Sequence, residues 1–193
     1  DKKALDYLKM VEQNNIIMEN IVNDLSSVVL IKDKMQIPEI INLRQMIKST
    51  IAIFEFLPGV DKIRFDVAVE KDLQIFSDRN LVSTICQNLI GNAIKYRKRN
   101  EGHFVSIKAK KKNKGVCLTI EDNGEGIPEE SIARIFEMFY RGNLKSSGTG
   151  LGLYIVKKAL EKLKGVITVE SEPLKGSAFK VFFPLRDEEK ATA

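Results

Sequence analysis

The sequence predicts an α+β fold: a two-layer sandwich of a mixed, largely antiparallel sheet with helices on one face, preceded by a long coiled-coil-like helix. Three observations predict it. Apolar residues over 3–36 recur in alternating steps of four and three. Farther along, short runs of period-two alternation are interleaved with longer stretches of helical period. Turn chemistry such as "LPGVDK" and "EPLKG" punctuates these runs.

The first element is one helix over 3–36. Ala4, Leu8, Val11, Asn15, Met18, Val22, Leu25 and Val29 form a heptad seam, Ile21 and Val28 widen it, and Asn15 is placed to set register. Pro38 ends it. Asn42 is an N-cap for a second helix carrying Leu43, Met46, Ile47, Ile51 and Phe54. Ile63, Phe65, Val67 and Val69 alternate as a half-buried strand, and "LQIFSD" is a second. Asp78 caps the next helix, Arg79 to about Arg97. Strands follow at His103–Lys110 and Val116–Glu121, then a short helix near Pro128 and a helix that runs to Leu163. Strands Val166–Ser171 and Ala178–Phe183 close the layer, and "RDEEKATA" is a frayed tail.

With 193 residues, 44% of them hydrophobic, the chain is long enough for one sizeable core with an appended element. The net charge of +5 comes in large part from "KAKKKNK", Lys108 to Lys114. No aromatic residue interleaves with these lysines, so the run is a solvated hairpin tip and nucleic acid is not an expected partner. Cys86 and Cys117 lie in apolar contexts without metal spacing, as buried free thiols of a reducing compartment do. No run of 18 apolar residues is present. The chain begins at Asp1, so a fragment of a longer protein is expected.

Three short motifs carry chemistry. In "NLVSTICQNLIGNAIKYRK", Asn88, Asn92 and Lys95 share one helix face beside the apolar stripe Leu81, Ile85, Leu89 and Ala93. Asparagine is a poor helix residue, so the pair is costly unless used. An amide oxygen suits Mg²⁺ and an ammonium suits phosphate, although a solvated polar face has the same pattern. "EDNGEGIP" supplies Asp122, Gly124 and Gly126, where backbone can approach a flat ligand and a carboxylate can accept from an exocyclic amine. An acidic β-turn is the plainer reading. In "SSGTGLGLYIVKKALEKL", three glycines in five residues open a helix. No lysine follows as in a Walker loop, and Leu153 stands where a dinucleotide fingerprint has its third glycine. Bare N–H groups at a helix start still suit a polyphosphate. The preceding "RGNLKSS" is a candidate lid with Arg141 and Lys145.

In this order the motifs resemble the ATP-binding catalytic domain of bacterial sensor histidine kinases, of the Bergerat-type ATP-binding fold, over about residues 40–185. "QNLIGNAIKY" looks like the N box, "DNGEGIP" the G1 box, "IFEMFYRG" the F box, "GTGLGLYIVKK" the G2 box and "KGSAF" the last glycine box. The heptad helix looks like the second helix of the dimerisation and phosphotransfer hairpin. The resemblance implies three parts: 1–38 from that hairpin, 39–186 the catalytic domain, and 187–193 a tail.

It also implies ATP and Mg²⁺ as ligands. Asn92 would hold Mg²⁺ with Asn88 beside the phosphates, and Lys95 and Arg141 would contact phosphate as the catalytic charges. Tyr96 would lie near ribose and base. Asp122 would bond the adenine amino group in a pocket shaped by Gly124, Gly126 and Ile127. Gly148, Thr149, Gly150, Leu151 and Gly152 would wrap the triphosphate, with Phe136 and Phe139 packed under the lid. Met138 replaces the proline frequent in the F box. Implied partners are the parent's acceptor-histidine hairpin, a response regulator and a second copy through the first helix, in the cytoplasm.

The one histidine, His103 in "GHFVSIKA", lacks the acceptor context, so the acceptor is expected upstream in the parent and this chain alone is not expected to phosphorylate itself. The ATPases that share this fold carry a water-activating glutamate one turn before the metal-binding asparagine. Here that position is Asn88, which cannot act as a general base. A degenerate nucleotide-binding module on a dimerising helix is the third reading, and the intact Asn92, Asp122 and glycine sets argue against it.

Overall fold

The computed structural model describes residues 2–33, 37–98, 102–142 and 148–185. Helix α1 (Lys2–Asp33) leads to β1 (Pro38–Asn42), α2 (Leu43–Phe54), β2 (Arg64–Val69), β3 (Gln74–Asp78) and α3 (Arg79–Lys95). Then come β4 (Phe104–Lys112), β5 (Gly115–Asp122), α4 (Glu129–Ile132), α5 (Gly152–Leu163), β6 (Val166–Glu172) and β7 (Gly176–Pro184).

Both expected caps are formed. The side chain of Asn42 accepts from Gln45 N at 2.9 Å, and that of Asp78 accepts from Leu81 N at 3.0 Å. Each satisfies an orphan amide in the first turn of its helix.

The main sheet has the order β2-β4-β5-β7-β6. β2 and β4 are parallel, and the other three ladders are antiparallel. One register row, Val67, Ile107, Ile120, Phe179 and Val169, faces the helices. The next row, Ala68, Lys108, Thr119, Lys180 and Thr168, lies on the open face. A period of two thus gives one dry and one wet side. The dry side is covered by Ile85, Leu89 and Ile90 of α3 and by Ile155, Ala159 and Leu160 of α5, all buried. Truncating Leu89 to alanine would cost about 2–5 kcal/mol.

β1 was not expected from the sequence. It pairs antiparallel with β3 as a separate two-stranded sheet beside α2. Pro38 tolerates the first position of a strand, and five residues are too few to show alternation. The helix expected to reach Arg97 ends at Lys95, and Arg97 instead bonds the carbonyls of Ile94 and Pro58 at 2.8 Å each.

α1 meets the sandwich through one face near its C-terminal end. Ile31 is buried, Val28 packs on the core, and Ile21, Asp24 and Ser27 are half-buried. The Lys162 ammonium of α5 bonds the Ile31 carbonyl. The heptad seam points elsewhere: Leu8, Met18 and Val22 are each over 60% exposed.

His103 is a packing residue at the entry to β4. It is buried, and its Nε2 lies 3.1 Å from the Ala93 carbonyl of α3. Burial, more than any neighbour, lowers its pKa. Cys86 and Cys117 are free thiols, one buried and one half-buried. Burial pushes the Cys86 thiol up to about 12. Among the described residues no helix is long and apolar enough to cross a membrane.

Candidate functional site

α3 is the spine of the site. Its buried stripe fixes the helix against the sheet, so the polar face has one direction left to it. The Asn88 amide nitrogen donates to the Thr84 carbonyl at 2.9 Å. Its Oδ1 is left toward the start of α5, where a Cβ at Gly152 would stand 2.7 Å away. One turn on, Asn92 is half-buried with no side-chain partner among the described residues. The exposed Lys95 reaches back across the Tyr96 ring, 4.9 Å from its centroid, to lie against Gly148. A Cβ at Gly148 would overlap that ammonium.

The acidic loop meets the C-terminal end of α3, next to Lys95. Asp122 is the last residue of β5 and is 8% exposed. Its Oδ1 accepts from Gly124 N at 2.8 Å, and the Ser177 N–H also supports the charge. Burial outweighs both and raises the carboxyl from 3.8 to about 6. The loop is tied to α3 by Glu125 N on the Tyr96 carbonyl at 2.9 Å. Gly126 has φ 70, and any Cβ there would run into the Glu172 carbonyl. Ile127 N donates to Ser171 Oγ at 2.8 Å.

The glycine run passes between α3 and the turn before it. Gly150 presses on the backbone of Phe139 and Tyr140. Thr149 Oγ1 donates to Asp24 Oδ2 of α1 at 2.5 Å and accepts from Leu151 N at 3.2 Å. The Leu151 side chain is fully buried, so only its backbone can face a ligand. Arg141, which opens the candidate lid, is half-buried, and Lys145 with the rest of the lid at 143–147 lies outside the described residues.

Phe136 packs against the core, but Phe139 departs from the expected packing. It is 53% exposed with φ 63. Its backbone, not its ring, is what the glycine run touches.

Asn88, Lys95 and Tyr96 of one helix thus join the glycine run to the acidic loop, with Asn92 between. Sequence reasoning missed Ser171 and Ser177 behind Asp122, and Asp24 against Thr149. "KGSAF" was the one signal near the serines. Asp24 had none, because its partner is 125 residues away.

Comparison with known proteins bears on this geometry. Residues 77–187 match the family model described as histidine kinase-, DNA gyrase B-, and HSP90-like ATPase. Sporulation kinase A of Bacillus subtilis is 37% identical over 149 residues, which are 77% of this chain and 24% of that protein. This chain therefore spans about a quarter of that relative's length.

Among solved structures, the mycobacterial sensor histidine kinase MprB superposes with a TM-score of 0.67 at 27% identity, covering 78% of this chain and 99% of that one. The histidine kinase ThkA in complex with response regulator protein TrrA gives 0.72 at 24% identity, over 93% of this chain and 51% of that one, and shares the fold. The family match covers more than half of the 193 residues, from the cap of α3 to the end of β7, and the chain belongs to the histidine kinase-, DNA gyrase B-, and HSP90-like ATPase family.

Proposed function

We propose that this chain is the ATP-binding catalytic part of a two-component sensor histidine kinase. The γ-phosphoryl group of ATP passes to a histidine on an acceptor helix that is not in these 193 residues. The observation that carries the proposal is the α3 face. A half-buried Asn92 amide with no side-chain partner among the described residues sits between Asn88 and Lys95, with the glycine run lying along both and the acidic loop tied to Tyr96 beyond them.

Asp122 accepts from the adenine amino group, and Gly124, Gly126 and Ile127 shape the slot for the ring. Tyr96 lies at the ribose. Lys95 and Arg141 place positive charge on the phosphates, as the reaction's catalytic groups. Gly148, Thr149, Gly150, Leu151 and Gly152 wrap the triphosphate, and all but Leu151, whose N–H donates to Thr149 Oγ1, offer it backbone N–H groups. Asn88 lies beside the phosphates with an amide where a hydrolase needs a base, which argues against hydrolysis.

The donor chemistry fits Mg²⁺. Among the described residues no set of three His, Cys, Asp or Glu side chains could hold a metal ion. Asn92, whose amide has no side-chain partner among the described residues, would hold such an ion through its oxygen. When bound, Mg²⁺ neutralises phosphate charge. The chain's share is to hold the phosphates in line and keep Lys95 against them.

The α1 seam supports assembly with the acceptor hairpin and a second copy, and a response regulator takes the phosphoryl group onward in the cytoplasm. Residues 1–38 belong to the hairpin, 39–186 to the catalytic domain and 187–193 to a tail. A fluorescent ATP analogue tests the binding step: Mg²⁺-dependent, ADP-competable binding is expected, and its absence ends the proposal. Mixing the chain with ATP and a separate acceptor hairpin should yield acid-labile phosphate.

A further inference from the structure

We propose that Ser171 is a positioning residue for the base-binding end of this site, holding the loop of Gly126 and Ile127 and the start of β7 in the arrangement that presents Asp122. The inference rests on the adenine-binding reading above and adds a residue to it.

The geometry is closed on itself. Ser171 Oγ receives Ile127 N–H at 2.8 Å and lies 2.8 Å from the Gly176 carbonyl and 2.9 Å from Ser177 Oγ. A hydroxyl has one proton and two lone pairs. Donating to Gly176 O leaves the lone pairs for Ile127 N–H and the Ser177 hydroxyl, so all three positions are used.

Two of the three partners bear directly on Asp122, and the third holds the loop beside it. Gly176 has φ 117, and a Cβ there would run into the Asp122 carbonyl, so this backbone lies directly on Asp122. Ser177 pairs with Asp122 across the β5–β7 ladder, and its N–H supports the carboxylate. Ile127 follows Gly126, whose backbone is pressed on Glu172, the neighbour of Ser171. One hydroxyl therefore joins the β6–β7 hairpin to the loop of Gly126 and Ile127, 44 residues away in sequence, within hydrogen-bond reach of both walls of the slot. A plain hairpin staple would need only the bond from Ser171 to Gly176.

Removing the hydroxyl leaves a loop amide and a turn carbonyl without their partner. The base end should loosen while the α3 face is untouched. The test is Ser171→Ala and Ser171→Thr in the full chain, with Mg²⁺-ATP, Mg²⁺-ADP and GTP as probes. In Ser171→Ala, affinity for ATP and ADP should fall together by about tenfold, which is about 1.4 kcal/mol. The ATP-to-ADP ratio should hold, the preference for ATP over GTP should shrink, and the pH midpoint for loss of affinity should move. Ser171→Thr keeps the hydroxyl and should recover affinity to within about threefold.

A folded Ser171→Ala protein with parental affinity and parental pH midpoint overturns the proposal, as does failure of Ser171→Thr to recover. If Ser171→Ala does not fold, amide exchange at Ile127 in the unaltered, nucleotide-free chain decides. Protection supports the proposal, and free exchange overturns it. Asp122→Asn separates the two levels. If it weakens ATP binding while Ser171→Ala does not, only this inference fails. If neither changes binding, the adenine reading fails with it.

Discussion

The two ends of the site are built on different terms. At the Asp122 end the polar groups are held by partners inside the protein: the carboxylate accepts from Gly124 and Ser177, Ser171 accepts from Ile127, and the Tyr96 carbonyl accepts from Glu125. Backbone meets backbone there, with no room for a Cβ at Gly126. At the α3–α5 end the groups are a lone Asn92 amide and a flexible Lys95 lying where only a glycine lets it lie. The lesson is about what each ligand part requires. A flat neutral base is told from other bases by fixed donors and acceptors, and those must be set beforehand. A triphosphate carries its own charge and ions, so mobile cations and bare amides suffice.

The largest contrast should come from glycines. Gly126→Ala puts a Cβ into the Glu172 carbonyl at a left-handed φ. We expect loss of nucleotide binding and about 3 kcal/mol or more of stability, roughly 10 °C in Tm by thermal melting. A melt that matches the parent would mean that the base end yields as freely as the other.

Next, Asp122→Asn should weaken ATP and ADP alike by about ten- to a hundredfold in titration, because a charged acceptor is lost. It should also make the nucleotide-free chain more stable at pH 7. The folded pKa of Asp122 is raised from 3.8 to about 6, so the folded state holds the extra proton between those values. Stability of the parent therefore falls as pH rises through about 4 to 6 and levels off above. The gain in the variant, about 1–3 kcal/mol, should vanish below about pH 4. ATP affinity of the parent should decline as pH drops below about 6. A variant that melts like the parent at pH 7 contradicts the buried charge.

At the other end, Asn92→Asp should disturb Mg²⁺-ATP by about tenfold and metal-free ADP much less, measured with and without a chelator. Equal loss for both removes the metal role. Gly148→Ala displaces only the tip of Lys95. Melting should stay within about 0.5 kcal/mol of the parent, with ATP weakened a few-fold. A large fall in Tm would show that this end is as rigid as the Asp122 end. The smallest effect on nucleotide affinity belongs to Thr149→Val, whose side chain is engaged with Asp24 of α1. About 1 kcal/mol should be lost, seen as faster amide exchange in the last turns of α1.

Much of this site can be read along the chain, for definite reasons. Asn88, Asn92 and Lys95 are four and three apart, so helical period alone puts them together. Asp122 and Gly126 are close neighbours in one loop. Ser171 could not be read this way. Its partners at 176 and 177 lie across the β6–β7 hairpin, but Ile127, 44 residues away, reaches it only when the loop after β5 folds against that hairpin. The raised carboxyl of Asp122 was hidden for a similar reason, since its cause is burial by distant segments.

The fold divides along the same line. Caps at Asn42 and Asp78 and the alternation of β4, β5 and β7 are local, and the structure has them. β1 is not local: "PEIIN" becomes a strand because β3 is there to pair with it.

α1 makes the distinction plainest. Its heptad seam was legible from the sequence by itself, since amphipathic period is written in residue order. Which face the sandwich takes was not. Ile21, Asp24, Val28 and Ile31 face α5 and the glycine run while the seam stays bare. A helix carries its apolar stripes in its own period, but the choice between two stripes depends on the shape and hydrogen-bonding groups of the surface it meets.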